Sequence, residues 1–304
     1  MSTSRARGRR LDPEAVRVAL RSAGLRARHA LSQNFLADDE ILEAILDEAA
    51  PKAGRGILEI GPGLGILTGG LLEAGAAVTA VELDRGLVAH LRDRFAEAIR
   101  RGEADPAAAG SLRLIEGDAL DRDLANLVPP PYDVVANLPY HITSPILHAF
   151  LGATPRPERL VLMLQREVAE RISAPAGGLS YLAVFVQYHA AARIAVRVPA
   201  AAFEPAPAIE SAVVVLEPRP AGSWSSEPVD EGDLWRLVQA AFRERRKMLH
   251  NVLGRQLPAP AERVASALAA AGIAPDRRPQ TVSVVEWLAL LAILGPIAPD
   301  RRGR

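Results

Sequence analysis

The chain is 304 residues long, carries a formal net charge of zero, is 49% apolar and contains no cysteine. That length allows one large domain and a smaller one, and the missing cysteines exclude disulfides, thiolate nucleophiles and thiolate-bound metals. No signal-like apolar core opens the sequence and no run of about 18 apolar residues interrupts it, so a soluble, cytoplasmic protein with no membrane partner is expected.

In chain order, residues 1–28 read as a basic, partly disordered N-terminal arm, with disorder expected over 1–10. From Gly56 to Leu216, short β-rich apolar runs alternate with helical ones. Gly56–Ile60, 77–81, Leu112–Glu116, 133–136 and 160–164 predict strands, and 64–74 and 85–100 have helical period. Such alternation predicts an α/β, doubly wound, Rossmann-like sheet of mostly parallel strands. The runs 193–198 and 212–217 predict two closing strands that form an antiparallel, hairpin-like edge. A Pro/Gly/Ser break at 218–227 follows, and beyond it only helical patterns remain, at 233–253, 261–271 and Val284–Leu294, with a helix-start signal at Pro279–Thr281. A catalytic domain over 29–218 and a small all-helical domain over 219–304 are therefore expected.

Charge is spread unevenly along this frame. Residues 1–30 hold eight arginines against two acids, 31–218 hold 15 basic against 25 acidic side chains, and 219–304 hold 13 against nine. Basic ends around an acidic centre can grip a phosphate backbone, although an Arg-rich tail and ordinary solvated helices would give the same balance.

The run ILEIGPGLGILTGGLL is a strand, a glycine turn and a helix in succession, with Gly61, Gly63 and Gly65 letting the backbone turn tightly and approach a ligand. Its G-x-G-x-G spacing differs from the G-x-G-x-x-G of NAD enzymes, and an acid, Glu59, precedes it; a purely structural turn is the alternative. Glu82 closes the second strand 21 positions after Gly61, where a carboxylate can accept both hydroxyls of an adenosine ribose. Asp118, after the third strand, stands where it could meet an adenine amino group. Either acid could instead cap the helix that follows.

Asn137-Leu138-Pro139-Tyr140 ends the fourth strand, at the carboxyl edge where doubly wound sheets bind ligands. An adenine amino nitrogen is a poor nucleophile because its lone pair is delocalised into the ring. An amide oxygen from Asn137 and the carbonyl of Leu138 could accept its two hydrogens and aim the lone pair at a methyl group. Pro139 fixes the turn, and Tyr140 offers a ring for stacking. A simple Asn-x-Pro turn is the plain alternative.

The motifs LSQNFL (31–36), EIGPGLG (59–65), VELD (81–84), GDAL (117–120), NLPY (137–140) and FEPAPAIESAVV (203–214), in that order, resemble the ribosomal RNA adenine N6,N6-dimethyltransferases, over about residues 29–253. The resemblance implies a cofactor, S-adenosyl-L-methionine, with S-adenosylhomocysteine as product and no metal. It implies that Gln33, Asn34 and Leu36 line the cofactor pocket, that Gly61 meets the methionine part, Glu82 the ribose and Asp118 the adenine ring, and that Gly63, Leu83 and Ala119 also bind the cofactor. Asn137 would serve both the methionine end and the target amine. Phe203 would sandwich a flipped adenine opposite Tyr140; without the resemblance it would pass as a core residue.

NLPY, the run FRERRKMLHN (242–251) and the helical tail are similar to the branch acting on 16S RNA more than to the 23S resistance methylases. That branch implies two methyl groups on each of two adjacent adenines near the 3′ end of 16S rRNA. The partner would be this RNA within the 30S subunit or its assembly intermediate, met by a monomer. Arg26, Arg28, Arg243, Arg245, Arg246 and Lys247 would contact RNA, and a solvated basic helix is the alternative for the last four. An arginine-rich N-terminal stretch with His29 and an insertion-like run at 102–111 depart from the family's usual pattern. A 23S methylase and a non-catalytic assembly factor remain the competing readings.

Overall fold

The computed structural model describes residues 11–28, 33–220, 222–224 and 229–297. The expectation for residues 1–10, together with His29, Leu31 and Ser32, falls outside them. The chain forms two compact units, Met1–Ala169 with Ala192–Pro218 and Glu170–Ala191 with Arg219–Arg304. The break expected at 218 recurs as the end of the first unit, but the expectation that 29–218 is one continuous domain differs from this division. Residues 170–191 leave the catalytic unit and belong with the C-terminal helices, because the helix they carry buries its aromatic face there.

In the first unit, helix α1 (Pro13–Ser22) starts under an Asp12 cap with proline at its first position, and it buries Val16 and Leu20. So ordered structure begins inside the arm read as partly disordered. The short strand β1 (Phe35–Leu36) leads into α2 (Asp39–Ala49), capped by Asp38. The alternating part then runs β2 (Gly56–Ile60), α3 (Ile66–Glu73), β3 (Ala77–Glu82), α4 (Arg85–Arg94), α5 (Ala96–Ala104), β4 (Leu112–Glu116), β5 (Tyr132–Asn137), α6 (Thr143–Leu151) and β6 (Arg159–Gln165). The helix expected over 85–100 is two helices, broken at Phe95, whose ring turns in against the glycine turn.

After α7 (Arg166–Ile172) and α8 (Tyr181–His189), the chain returns through β7 (Ala190–Val198), β8 (Phe203–Glu204) and β9 (Ser211–Pro218). One sheet has the order β4-β3-β2-β5-β6-β9-β7, parallel from β4 to β6 and antiparallel between β6 and β9. The order reverses between β2 and β5, so the carboxyl ends of those strands form the crevice that doubly wound sheets use for ligands. Central strands are buried on both faces and read as continuous apolar runs, as in VVA and LVLML.

A second sheet escapes the sequence pattern: β1 pairs antiparallel with β8, matching Leu36 to Phe203 and Phe35 to Glu204. Two residues per strand are too few to show a period. The pairing is extended by Ala37 N–H donating to the Ala202 carbonyl at 2.8 Å and by an Arg17–Glu204 ion pair at 2.7 Å.

In the second unit, Tyr181, Phe185, Tyr188 and His189 of α8 gather round Trp235 of α9 (Glu231–Phe242). Helices α10 (Leu249–Gln256), α11 (Ala261–Ala270) and α12 (Val284–Leu294) complete it around the fully buried Trp287. The helix expected over 233–253 is interrupted by a turn at 243–248. There, Leu249 N–H and His250 N–H are taken by the carbonyls of Arg277 and Pro275, which redirects α10 so that Leu249, Val252 and Leu253 are buried. Near the C-terminal end, Asp233 and Arg236 clasp the main chain of Ile297, accepting its N–H and donating to its carbonyl, each at 2.8 Å.

Candidate active site

One cleft opens at the carboxyl ends of β2, β3, β4 and β5, with about 1260 Å³ of space including its mouth. Gln33, Asn34, Leu36, Gly61, Gly63, Glu82, Leu83, Asp118, Ala119 and Asn137 all line it, and so do Leu138, Pro139, Tyr140 and Phe203. Residues 170 positions apart in sequence are thus brought to one wall. The two-stranded sheet explains how, since pairing Leu36 with Phe203 carries the N-terminal segment and the FEPAP segment to the cleft together.

Gly61, Gly63 and Gly65 all have positive φ, at 68°, 59° and 75°. A side chain at Gly61 would meet no protein atom within 4 Å, so this glycine leaves open the floor that a ligand can approach. At Gly65 the reason is internal: a Cβ would stand 2.4 Å from Phe95 and 2.8 Å from Leu91. Arg94 fastens the same turn by donating to the Leu64 carbonyl at 2.6 Å.

Glu82 is 6% exposed. One carboxylate oxygen accepts Gly63 N–H at 3.0 Å and the other accepts Asp84 N–H at 2.9 Å. Burial pushes the carboxyl above its ordinary value, while those two main-chain donors and a third, from Leu83, oppose the shift. Asp118 accepts Leu120 N–H at 2.8 Å through one oxygen, so it does cap the turn that follows, and it lines the cleft as well. Cap and site are not alternatives here. Glu59, noted in the sequence only as the acid before the turn, also lines the cleft while being 1% exposed, and accepts the Thr68 hydroxyl at 2.7 Å.

Asn137 donates its amide N–H to the Asn34 carbonyl at 3.3 Å. This arrangement directs the amide oxygen away from Asn34 and keeps it available as an acceptor. Leu138 N–H is taken by the Met163 carbonyl at 3.2 Å, which ties the tetrapeptide to β6. Tyr140 is held at its hydroxyl, 2.8 Å from the hydroxyl of the fully buried Ser211. Phe203 is 2% exposed and belongs both to the core around Leu36, Val198 and Val213 and to the cleft wall.

Gln33 has a second task that the sequence did not reveal. Its side chain donates to Asp84 at 3.2 Å and accepts Arg28 N–H at 2.8 Å, while the Arg28 guanidinium lies 3.4 Å from the same aspartate. Arg28 thus faces a buried acid yet remains 64% exposed, and Arg26 is exposed beside it. Asp84, last residue of the VELD motif, also caps α4. Arg243, Arg245, Arg246 and Lys247 lie in the second unit on the exposed α9–α10 turn rather than around one helix, and Arg243 donates to Gln256 at 2.9 Å. His141 and Ile142 complete the cleft rim after Tyr140 and were missed because neither type nor spacing marks them. Among the described residues no three His, Asp or Glu side chains group as a metal site, and no helix is long and apolar enough to cross a membrane.

The family described as ribosomal RNA adenine dimethylase matches residues 24–294. A ribosomal RNA small subunit methyltransferase A of Anaeromyxobacter sp. (strain K) is 42% identical over 284 residues, covering 92% of this chain and 97% of that protein. The protein of the same name in Synechococcus sp. (strain RCC307) is 41% identical, covering 90% and 98%. Among solved structures, a dimethyladenosine transferase from Plasmodium falciparum is similar with a TM-score of 0.70 at 25% identity, over 86% of this chain and 99% of that one. The 23S rRNA methyltransferase ErmE is similar with a TM-score of 0.64 at 28% identity, over the same shares.

Proposed function

This chain belongs to the ribosomal RNA adenine dimethylase family, and from that premise we propose that it dimethylates the N6 amino groups of two adjacent adenines near the 3′ end of 16S rRNA in the small ribosomal subunit. The observation that carries the reading is the placement of Asn137 and Tyr140 on the same cleft as Glu82 and Asp118, with the Asn137 amide oriented by Asn34. The site residues suit S-adenosyl-L-methionine. Gly61 leaves a floor that a Cβ would fill, and Glu82 and Asp118 each have acceptor capacity beyond the bonds they already make, for ribose hydroxyls and an adenine amine.

When bound, the cofactor supplies a methyl group already activated as a sulfonium. The protein therefore needs to position rather than to activate by strong acid or base. Asn137, through its amide oxygen, and Leu138, through its carbonyl, accept the hydrogens of the target amine. They draw the nitrogen toward tetrahedral geometry and present its lone pair in line. Tyr140, fixed by Ser211, gives the extruded base a rigid stacking face, and Phe203 closes the opposite side. Pro139 has no N–H to compete for the carbonyl before it. Arg26, Arg28, Arg245, Arg246 and Lys247 supply exposed cations for phosphates.

The deciding experiment is methyl transfer from labelled S-adenosyl-L-methionine to undermethylated 30S subunits, with 50S subunits and free 23S RNA as parallel substrates and the modified base mapped. Dimethyladenine at paired 3′-terminal adenines of 16S RNA is expected. Label confined to 23S RNA, or cofactor binding with no transfer to any of the three, would overturn the proposal.

A further inference from the structure

Two buried carboxyl groups lie on one face of neighbouring strands, Glu59 in register with Ala80 and Glu82 two residues further on, and they are not equivalent. Glu82, on β3, receives three main-chain N–H donors, from Gly63, Asp84 and Leu83, which favour its ionised form. Glu59, on β2, meets only Thr68 of α3, through the hydroxyl at 2.7 Å and the main-chain N–H. On its other flank β5 places Val135 at the same register, so the neighbouring strand supplies no charge. Among the described residues no basic side chain faces Glu59, and Glu82 is the charged group that does. Burial disfavours an ionised carboxyl that few donors satisfy, and a like charge on the neighbouring strand adds to the cost. With three main-chain donors at Glu82 against one main-chain N–H and one hydroxyl at Glu59, the proton belongs on Glu59. Burial first, and the neighbouring Glu82 after it, push the Glu59 carboxyl up to about 8 against the Thr68 bonds. Despite its burial Glu59 is part of the cleft wall.

The reading of the cleft as a site for S-adenosyl-L-methionine, on which this inference rests, brings a permanent cation into the cleft that Glu59 lines. The cofactor carries a sulfonium, whereas the product of transfer is a neutral thioether that is otherwise the same molecule. We propose that Glu59 is a specificity-determining residue that tells the two apart by proton release: it keeps its proton in the free protein and in the product complex, and gives it up to solvent when the sulfonium is bound. The exchange balances, with one O–H bond broken at Glu59, the proton passing to buffer and the carboxylate charge matched by the sulfonium. Cofactor is thereby favoured over product, and the preference grows with pH up to the range in which free Glu59 ionises. The Thr68 bonds hold the carboxyl in place in either form.

The test is calorimetric titration of the protein with S-adenosyl-L-methionine and with S-adenosylhomocysteine at pH 7.5, in phosphate and in Tris, whose ionisation enthalpies differ. The sulfonium lowers the α-amino pKa of the cofactor below that of the product, so each free ligand is titrated by itself and its own contribution is subtracted before the two are compared. The cofactor is expected to release more than half a proton beyond the product. Between pH 6.5 and 7.5 the affinity ratio of cofactor to product should rise several-fold, approaching the tenfold per pH unit set by one linked proton. Glu59→Gln mimics the protonated form and should bind both ligands with equal proton counts and a flat ratio. Equal proton release for the two ligands in the unmodified protein, or a difference that survives in Glu59→Gln, overturns the inference while leaving the cofactor site intact. Failure of both ligands to bind the unmodified protein overturns the cofactor reading and the inference with it. Should Glu59→Gln not fold, the comparison within the unmodified protein decides alone.

Discussion

Replacing Asn137 by alanine separates the roles assigned to the tetrapeptide. The amide oxygen is the group proposed to accept a hydrogen from the target amine, an interaction that strengthens only as charge develops. Removing one such preorganised partner costs about 3–4 kcal/mol, or roughly 10²–10³ in turnover. The amide N–H makes one 3.3 Å bond to the Asn34 carbonyl, long for its type, so its loss is worth at most ~1 kcal/mol, about fivefold in cofactor affinity. The side chain is only partly buried, so the cavity left behind adds little to unfolding. Single-turnover transfer from labelled cofactor gives the first quantity, and titration with S-adenosylhomocysteine gives the second. A turnover within about tenfold of the unmodified protein would refute the activation argument. So would a loss of cofactor affinity large enough to account for the whole effect, since Asn137 would then be a wall residue and nothing more.

Four further outcomes are expected. Gly65→Ala combines a φ of 75° with a Cβ placed 2.4 Å from Phe95; strain and overpacking together predict about 2–5 kcal/mol of destabilisation by denaturant titration, and adding Phe95→Leu should restore part of it. Tyr140→Phe keeps the ring but leaves the buried Ser211 hydroxyl without its partner, costing about 1–3 kcal/mol of stability, whereas Tyr140→Ala should also weaken productive RNA binding by about 5–150-fold through the missing stacking face. Neutralising Arg245, Arg246 and Lys247 singly should lower the slope of log affinity for 16S RNA against log salt by about one for each phosphate that a removed cation had neutralised; an unchanged slope would return these cations to a solvated turn. Glu286, beside Arg277 and capping α12 with Ser283, is held down to about 2. Its folded value lies below its unfolded one, so its contribution is full above about pH 4.5 and fades as pH falls toward 2. Glu286→Gln should therefore cost up to about 3 kcal/mol at pH 7 and almost nothing near pH 2, measured by denaturant unfolding at both.

The central sheet was legible because its strands are buried on both faces and interrupted by a glycine turn, so VVA, LVLML and ILEI stand out as short apolar runs with helical patterns between them. The placing of two candidate residues at strand ends followed directly, since Glu82 and Asn137 close β3 and β5. Three things were not legible. Helix breaks at Phe95 and at 243–248 come from tertiary packing, the fit of a ring against Gly65 and the capture of Leu249 N–H by a distant carbonyl. Neither leaves a trace in local propensity. The assignment of α8 to the second unit depends on which partner its aromatic residues find, and period alone cannot name a partner. The different sets of donors around Glu59 and Glu82 are supplied only by the folded arrangement.

The least legible element, the β1–β8 pair, is also the one that joins the two ends of the cleft. Asn34 precedes β1 and orients the Asn137 amide, while Gln33 beside it is held by Asp84 at the cofactor side. Phe203 begins β8, and the loop after it leads to Ser211, which fixes Tyr140 at the target side. A disturbance of either two-residue strand therefore reaches the Asn137 amide and the Tyr140 ring at once. Leu36→Asp places an unpaired charge in a site 5% exposed opposite Phe203, which costs several kcal/mol unless the pair opens. Opening the pair relieves that charge, against the few ladder bonds, the partly exposed Arg17–Glu204 pair and the burial of Phe35 and Phe203. The expected variant stays folded in the central sheet by circular dichroism, but loses cofactor affinity and methyl transfer together. Retained S-adenosylhomocysteine binding with abolished transfer would show instead that β1 serves the target side alone.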